Sequence, residues 1–193
     1  MGAMKTTHSV FVFVAVTLGV TATGTPAFAS NPCIAAAMVN LKLTSYETTM
    51  TTNHGGASSV STVDIQKPDR IHVVNPGSEM IAVGHQTWMK MNGSGWKSYP
   101  HMDIGSLASM DPTTFMNNHP TDVTCVDAGP GLWHGQPAHV FKSSTTTSRT
   151  GVVHATIYQM SDGYVHHMDI ADSKGMTASF EISRFNAVKI SPP

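Results

Sequence analysis

Charge and cysteine are both scarce in this chain. Only 12% of its 193 residues are Asp, Glu, Lys or Arg, and the formal net charge is −1. The basic residues stand singly, so the clustered cationic face that neutralises phosphates is missing, and nucleic acid is not an expected partner. The two cysteines, Cys33 and Cys125, form no C-x-x-C pair, which removes dithiol redox chemistry. There is no G-x-S-x-G nucleophile elbow. Glutamate is limited to Glu47, Glu79 and Glu181, a poor stock for hydrolysis by paired carboxylates. Neither an enzyme nor a cofactor is expected. No repeat of useful length recurs, which excludes propellers and solenoids. The longest apolar run, Val10 to Val20, falls well short of the roughly 20 residues that cross a bilayer as a helix, so no membrane span is expected.

That same run has another reading. Lys5 precedes it, and Ala27-Phe28-Ala29 supplies small residues just before Ser30, the pattern of a secretory signal peptide. Residues 1–29 are therefore expected to be a signal, and 30–193 one domain of about 160 residues, soluble in the periplasm or secreted. Cys33 follows Ser30-Asn31-Pro32 rather than a small apolar lipobox, so no lipid anchor is expected. In an oxidising compartment Cys33 and Cys125 are expected to pair and staple an N-terminal helix to a sheet, two buried thiols being the alternative. Such a closure is worth about 4 to 5 kcal/mol in the chain-entropy account.

The segment NPCIAAAMVNLKLTS from Asn31 suits one short helix, with Pro32 in its first turn and Ile34, Met38 and Leu41 on one stripe. Beyond it, Thr, Ser, Val, Ile and Tyr run in short stretches broken by Gly, Pro and Asn, the signature of successive strands and turns. Strands are expected near 45–53, 60–66, 70–75, 79–85, 87–91, 95–99, 121–128, 136–145, 152–160, 164–171 and 176–182. The stretch 103–119 reads as partly helical, with Asp111-Pro112 as a helix start. The Ser/Thr run Lys142 to Thr150 fits an exposed hairpin better than a linker, because its threonines are β-branched.

Short motifs recur in a fixed order along the chain. Lys67-Pro68-Asp69-Arg70 leads into an apolar strand; Glu79 to Gly84 precedes Trp88-Met89-Lys90-Met91 and Gly95-Trp96-Lys97-Ser98-Tyr99-Pro100. Later come Gly135 to Phe141, the turn Asp162-Gly163-Tyr164, and Ser183-Arg184-Phe185-Asn186 closing on Lys189 to Pro193. In this order of punctuation the chain resembles the LolA-like superfamily of exported lipoprotein and lipid carriers, which includes LolA, LolB and the LppX/LprG lipid carriers. The resemblance implies an α+β fold: a strongly curved, half-closed antiparallel sheet wrapped around an N-terminal helix, with an apolar cavity that takes acyl chains. Arg70 is the nearest counterpart of the lipoprotein carrier's arginine.

The hairpin GHQTWMKMNGSGWKSYP, Gly84 to Pro100, bears on what such a cavity would hold. Side chains alternate along a strand, placing Met80 and Ala82 on one side and Ile81 and Val83 on the other, with Met89 and Met91 opposed to Trp88 and Lys90. Methionine repacks readily around a flexible apolar guest. The candidate lining is Met80, Trp88, Met89, Met91, Trp96 and Trp133, with Arg70 or Lys97 at the rim toward an anionic headgroup. Plain packing of these residues on the N-terminal helix is the competing reading. The expected role is an exported soluble carrier or sensor of a lipid or other apolar small molecule.

Two other classes stay open. The chain holds 11 histidines and 13 methionines, and imidazole with thioether suits copper; a periplasmic copper- or zinc-binding protein would use His166, His167 and Met168. Adjacent histidines on a strand point to opposite faces, so only one of the pair could join a given site. An envelope protein-interaction module, docking by an exposed sheet edge, is the third.

Overall fold

The computed structural model describes residues 32–100, 124–147 and 151–193. The expected signal peptide, the stretch 103–119 and the tip of the Ser/Thr hairpin lie outside the described residues.

One helix and eleven strands follow in order: α1 (Pro32–Asn40), β1 (Ser45–His54), β2 (Ala57–Gln66), β3 (Arg70–Asn75), β4 (Ser78–Val83), β5 (Gln86–Met91), β6 (Lys97–Pro100), β7 (Thr124–Trp133), β8 (Gln136–Thr147), β9 (Gly151–Met160), β10 (Val165–Asp172) and β11 (Thr177–Ser183). They build one curved, unclosed antiparallel sheet in the order β6-β5-β4-β3-β2-β1-β11-β10-β9-β8-β7. It consists of two meanders, β1 to β6 and β7 to β11, joined by the pairing of β1 with β11. Strands β6 and β7 are its edges.

Turn chemistry explains the short connections. The β1–β2 link is Gly55-Gly56, with φ of 57° and 81°, the left-handed pair that a two-residue hairpin matching strand twist requires. At β7–β8 the same places are held by His134 (φ 49°) and Gly135 (φ 76°). The expected strands are found, with shifted ends. The largest shift is in β7, which runs on to Trp133 through Gly129-Pro130-Gly131. Proline lacks a donor, but β7 is an edge strand, where a missing donor is tolerated, and a register shift between Asp127 and Gly129 absorbs the irregularity. Asp127 Oδ1 accepts from the Gly129 N–H at 2.8 Å and from His139 Nε2 at 2.6 Å; these bonds, the backbone one first, hold its carboxyl below the usual range.

The sheet has two dissimilar faces. The inner face carries α1 and the main core, in which Cys33 and Ala36 of the helix meet Leu43, Tyr46, Ile65, Ile71, Val73, Ala82, Phe141, Ile157, Met168 and Ile182. Helix α1 packs chiefly on β7, β8 and β10, so it covers one end of this face. The buried stripe of the helix is Cys33, Ala36 and Asn40, while Met38 is 47% exposed; the expected stripe through Met38 is corrected accordingly. Cys33 and Ala36, both small, allow the close approach to the sheet that the disulfide requires. Cys33 and Cys125 are joined, with a sequence separation of 92 and Cα atoms 5.9 Å apart.

Asn40 closes the helix in an unusual way. Strand β10 bulges between Val165 and His167; Val165 still pairs with Gln159 of β9, but the ladder with β11 reaches only to His167. The Asn40 side chain replaces the missing partners: its Nδ2 donates to Val165 O, and the Val165 N–H donates to Asn40 Oδ1, each at 2.9 Å.

The outer face is crossed by the segment after β11. Asn186 accepts from the Thr44 N–H at 2.8 Å, the Val188 N–H donates to Ser45 Oγ at 3.1 Å, and the Ile190 N–H donates to Gln66 Oε1 at 2.8 Å. Val188 and Ile190 then bury themselves against Ile81, Val83, Trp88 and Trp96. This is a second, smaller core on the side opposite to α1.

Candidate functional site

The inner face is largely apolar through its middle strands. Strand register lines up its side chains in rows. One row runs Met89, Met80, Val73, Val63, Thr48 and Ile182 across β5, β4, β3, β2, β1 and β11. A second runs Met50, Phe180, Met168, Ile157 and Phe141 across β1, β11, β10, β9 and β8. Val73, Ile182, Met168, Ile157 and Phe141 are buried, whereas Val63, Met80, Phe180, Met50 and Met89 are only half-buried. The half-buried members lie on β1 to β5 and β11, away from the strands under α1. The hydroxyls of Thr48 and Thr87 on this face are buried without a hydrogen-bond partner among the described residues.

The seven sequence candidates divide between the faces. Met80 and Met89 pair directly across β4 and β5 on the inner face, and alternation puts Met91, 57% exposed, on the same side. Trp88 pairs with Ile81 and, with Trp96, packs under Val188 and Ile190 on the outer face. Arg70 is also outside: its Nη1 donates to the Ile190 carbonyl at 2.7 Å. Lys90, outside too, lies 5.7 Å from the Trp96 ring. Trp133 stacks on His167 at 5.1 Å, on the outer face at the other end of the sheet. Sequence reasoning missed Met50, Val63 and Phe180. The alternation Tyr46, Thr48, Met50 in β1 was a signal for the first, but the pairing of Met50 with Phe180 joins residues far apart in the chain.

The histidine and methionine candidates do not share a site. His166 bonds Asp162 through Nε2 at 2.8 Å and meets Phe185 edge-on at 4.6 Å. His167 is buried between Trp133 and Tyr158, and Met168 belongs to the inner core. Among the described residues no three His, Cys, Asp or Glu side chains are grouped to hold a metal.

Electrostatics gathers on the outer face of β1 to β5. His72 Nδ1–H donates to Asp64 Oδ2 at 3.1 Å and Nε2–H to Glu79 Oε1 at 2.9 Å. Two acceptors require two protons on the ring, so this geometry is that of an imidazolium. Lys90 Nζ lies 3.5 Å from Glu79, and Arg184 Nη1 bonds Glu47 at 2.9 Å with Asp64 Oδ1 at 3.8 Å. The bond to Asp64 raises the His72 pKa most; burial opposes it, and Glu79 adds to the rise. With the folded value above the unfolded one, the contribution of His72 to stability is full below its unfolded pKa and is lost as pH rises through the folded value. The urea midpoint is therefore expected to fall as pH is raised from about 6, and His72→Gln is expected to flatten that fall. A variant with the same slope as the parent would contradict it.

Comparison with known proteins bears on the fold. No protein-family model matches the sequence, and no curated protein matches it either. Among solved structures, the chain is similar to the lipoprotein LppX of Mycobacterium tuberculosis, with 15% identity, TM-score 0.57, and 83% of this chain and 99% of that one covered. It is also similar to LprF from Mycobacterium bovis, with 11% identity, TM-score 0.59, and 88% and 99% covered. A LolA superfamily protein from Nitrosomonas europaea matches with 10% identity, TM-score 0.33, and 76% and 86% covered.

Proposed function

We propose that this chain, whose fold is a divergent LolA-like one, is an exported carrier that holds a lipid or another apolar molecule on the inner face of its sheet. The observation that carries the reading is the half-buried apolar surface of Met50, Val63, Met80, Met89 and Phe180, on strands away from the helix. Contiguous apolar surface of this kind marks a binding site more often than it marks solvent. Each methylene of a guest buried there gains about 0.8 kcal/mol, so an acyl chain binds well without polar contacts. The signal-like first 29 residues and the Cys33–Cys125 disulfide support export.

Native mass spectrometry of protein purified from the periplasm without detergent tests the proposal, with solvent extraction of whatever is released on unfolding. Extracted lipid masses are expected; a clean unliganded mass that also rejects added fatty acid would overturn it. A fluorescent fatty acid extends the test to residues. Met80→Glu or Met89→Glu places a charge in the apolar surface and is expected to weaken binding on the order of tenfold or more. Lys90→Glu, next in sequence but on the outer face, is expected to leave it unchanged.

A second reading rests on the β7 edge, where Val126 and Leu132 are 62% and 67% exposed. An extended peptide could add there as a further strand. Cargo that survives purification would favour the first reading over it.

A further inference from the structure

The outer face holds a feature that the carrier reading does not use: a groove of about 370 Å³ across β9, β10, β11 and β1. Its floor is Ala171, whose register neighbours are His154 on one side and Thr177 on the other, with Asn53 beyond. A methyl group between larger side chains leaves a hollow. The adjoining row is Thr156, Asp169 and Ser179, so hydroxyl, amide, imidazole and carboxylate groups stand among apolar surface from Ile170, Ala171 and Ala178.

We propose that this groove binds a short neutral saccharide. Its lining contains no Lys or Arg, and Asp169 is its one formal charge apart from any on His154; an anion has no cation to meet there. A polyhydroxyl ligand, by contrast, finds donors and acceptors alternating at the spacing of neighbouring strands. Asp169 is the central acceptor and is held in place from behind. His167 Nε2–H donates to its Oδ1 at 3.0 Å, and His167 is itself locked, 6% exposed, between Trp133 at 5.1 Å and Tyr158 at 5.4 Å. The apolar part of the lining, Ile170, Ala171 and Ala178, offers a surface on which the C–H face of a sugar ring can lie. The volume is within the usual range of small-molecule sites, about 300 to 1,000 Å³.

The test is a titration of ¹⁵N-labelled protein with maltotriose and with chitotriose at millimolar concentration, followed by amide shifts. Shifts gathered on Thr156, Asp169, Ala171 and Ser179 are expected for at least one probe. Ala171→Leu fills the floor and Asp169→Asn removes the charge; each is expected to weaken that binding by about tenfold or more. Both positions are exposed on the strand, and an unchanged spectrum elsewhere establishes that the variants fold. No groove shifts with either sugar, or shifts that Ala171→Leu leaves in place, would overturn the proposal. Because Met168 and Phe180 face the other side of the same sheet, a failure here is separable from a failure of apolar binding on the inner face.

Discussion

Replacing both Cys33 and Cys125 with serine is expected to lower the stability of the folded chain by about 4 kcal/mol, the loop-closure term for a link of this span. The cysteines are 92 residues apart, and the loop between them contains the whole first meander, so the unfolded chain gains much freedom when the link is cut. Among the described side chains of the helix, Cys33, Ala36 and Asn40 are buried, and two of those are small. The loss should therefore appear locally as well as globally. Amide exchange is expected to quicken most in α1, while β1 to β5 keep their order of protection. Urea unfolding of the double variant measures the global term; a difference under about 1 kcal/mol would mean that the link constrains little. Against a typical total of about 5 to 15 kcal/mol, the expected loss decides whether the domain survives in a reducing compartment.

The second large effect belongs to Asn40. Its amide both donates to and accepts from the Val165 peptide at 2.9 Å, in a buried setting. Asn40→Leu keeps the bulk but leaves a buried N–H and a buried carbonyl without partners, each costing about 1 to 3 kcal/mol, so a loss of about 3 kcal/mol is expected. Asn40→Asp keeps the acceptor and removes the donor, setting a carboxylate against the Val165 carbonyl. Burial and that carbonyl both disfavour the charge, so this variant is expected to be less destabilised in mild acid than at neutral pH. Chemical denaturation of the two variants at both pH values separates lost hydrogen bonds from a buried charge. Leucine behaving like the parent would show that the bulge needs no partner.

Most of the strand pattern was legible because it is local. Runs such as RIHVVN and SEMIAV alternate, and Gly55-Gly56 and Pro76-Gly77 mark the turns between them. The α1 stripe was misread because periodicity selected the larger side chains, Met38 among them, whereas the disulfide and the Asn40 amide select Cys33, Ala36 and Asn40. The division of the candidate site was half legible. Alternation already set Met89 against Trp88, but nothing local says why both faces of the hairpin should be apolar. The reason lies some hundred residues further along the chain, where Val188 and Ile190 cover Trp88 and Ile81. Arg70 looked available for a headgroup for the same reason: its partner, the Ile190 carbonyl, is remote in sequence. The bulge in β10 left no mark at all, since HHMDIAD reads as a regular strand.

The join between β1 and β11 also has a consequence in time. A chain delivered from its N-terminus can assemble β1 to β6 early, yet β1 then waits as a raw edge until Thr177–Ser183 has emerged and β10 stands ready on its far side. The anchors of Asn186, Val188 and Ile190 on the first meander come later still. Closing contacts between such distant segments is the slow kind of folding step. For the exported carrier proposed above, a sheet completed only by β11 would keep the chain unfinished until late in its passage.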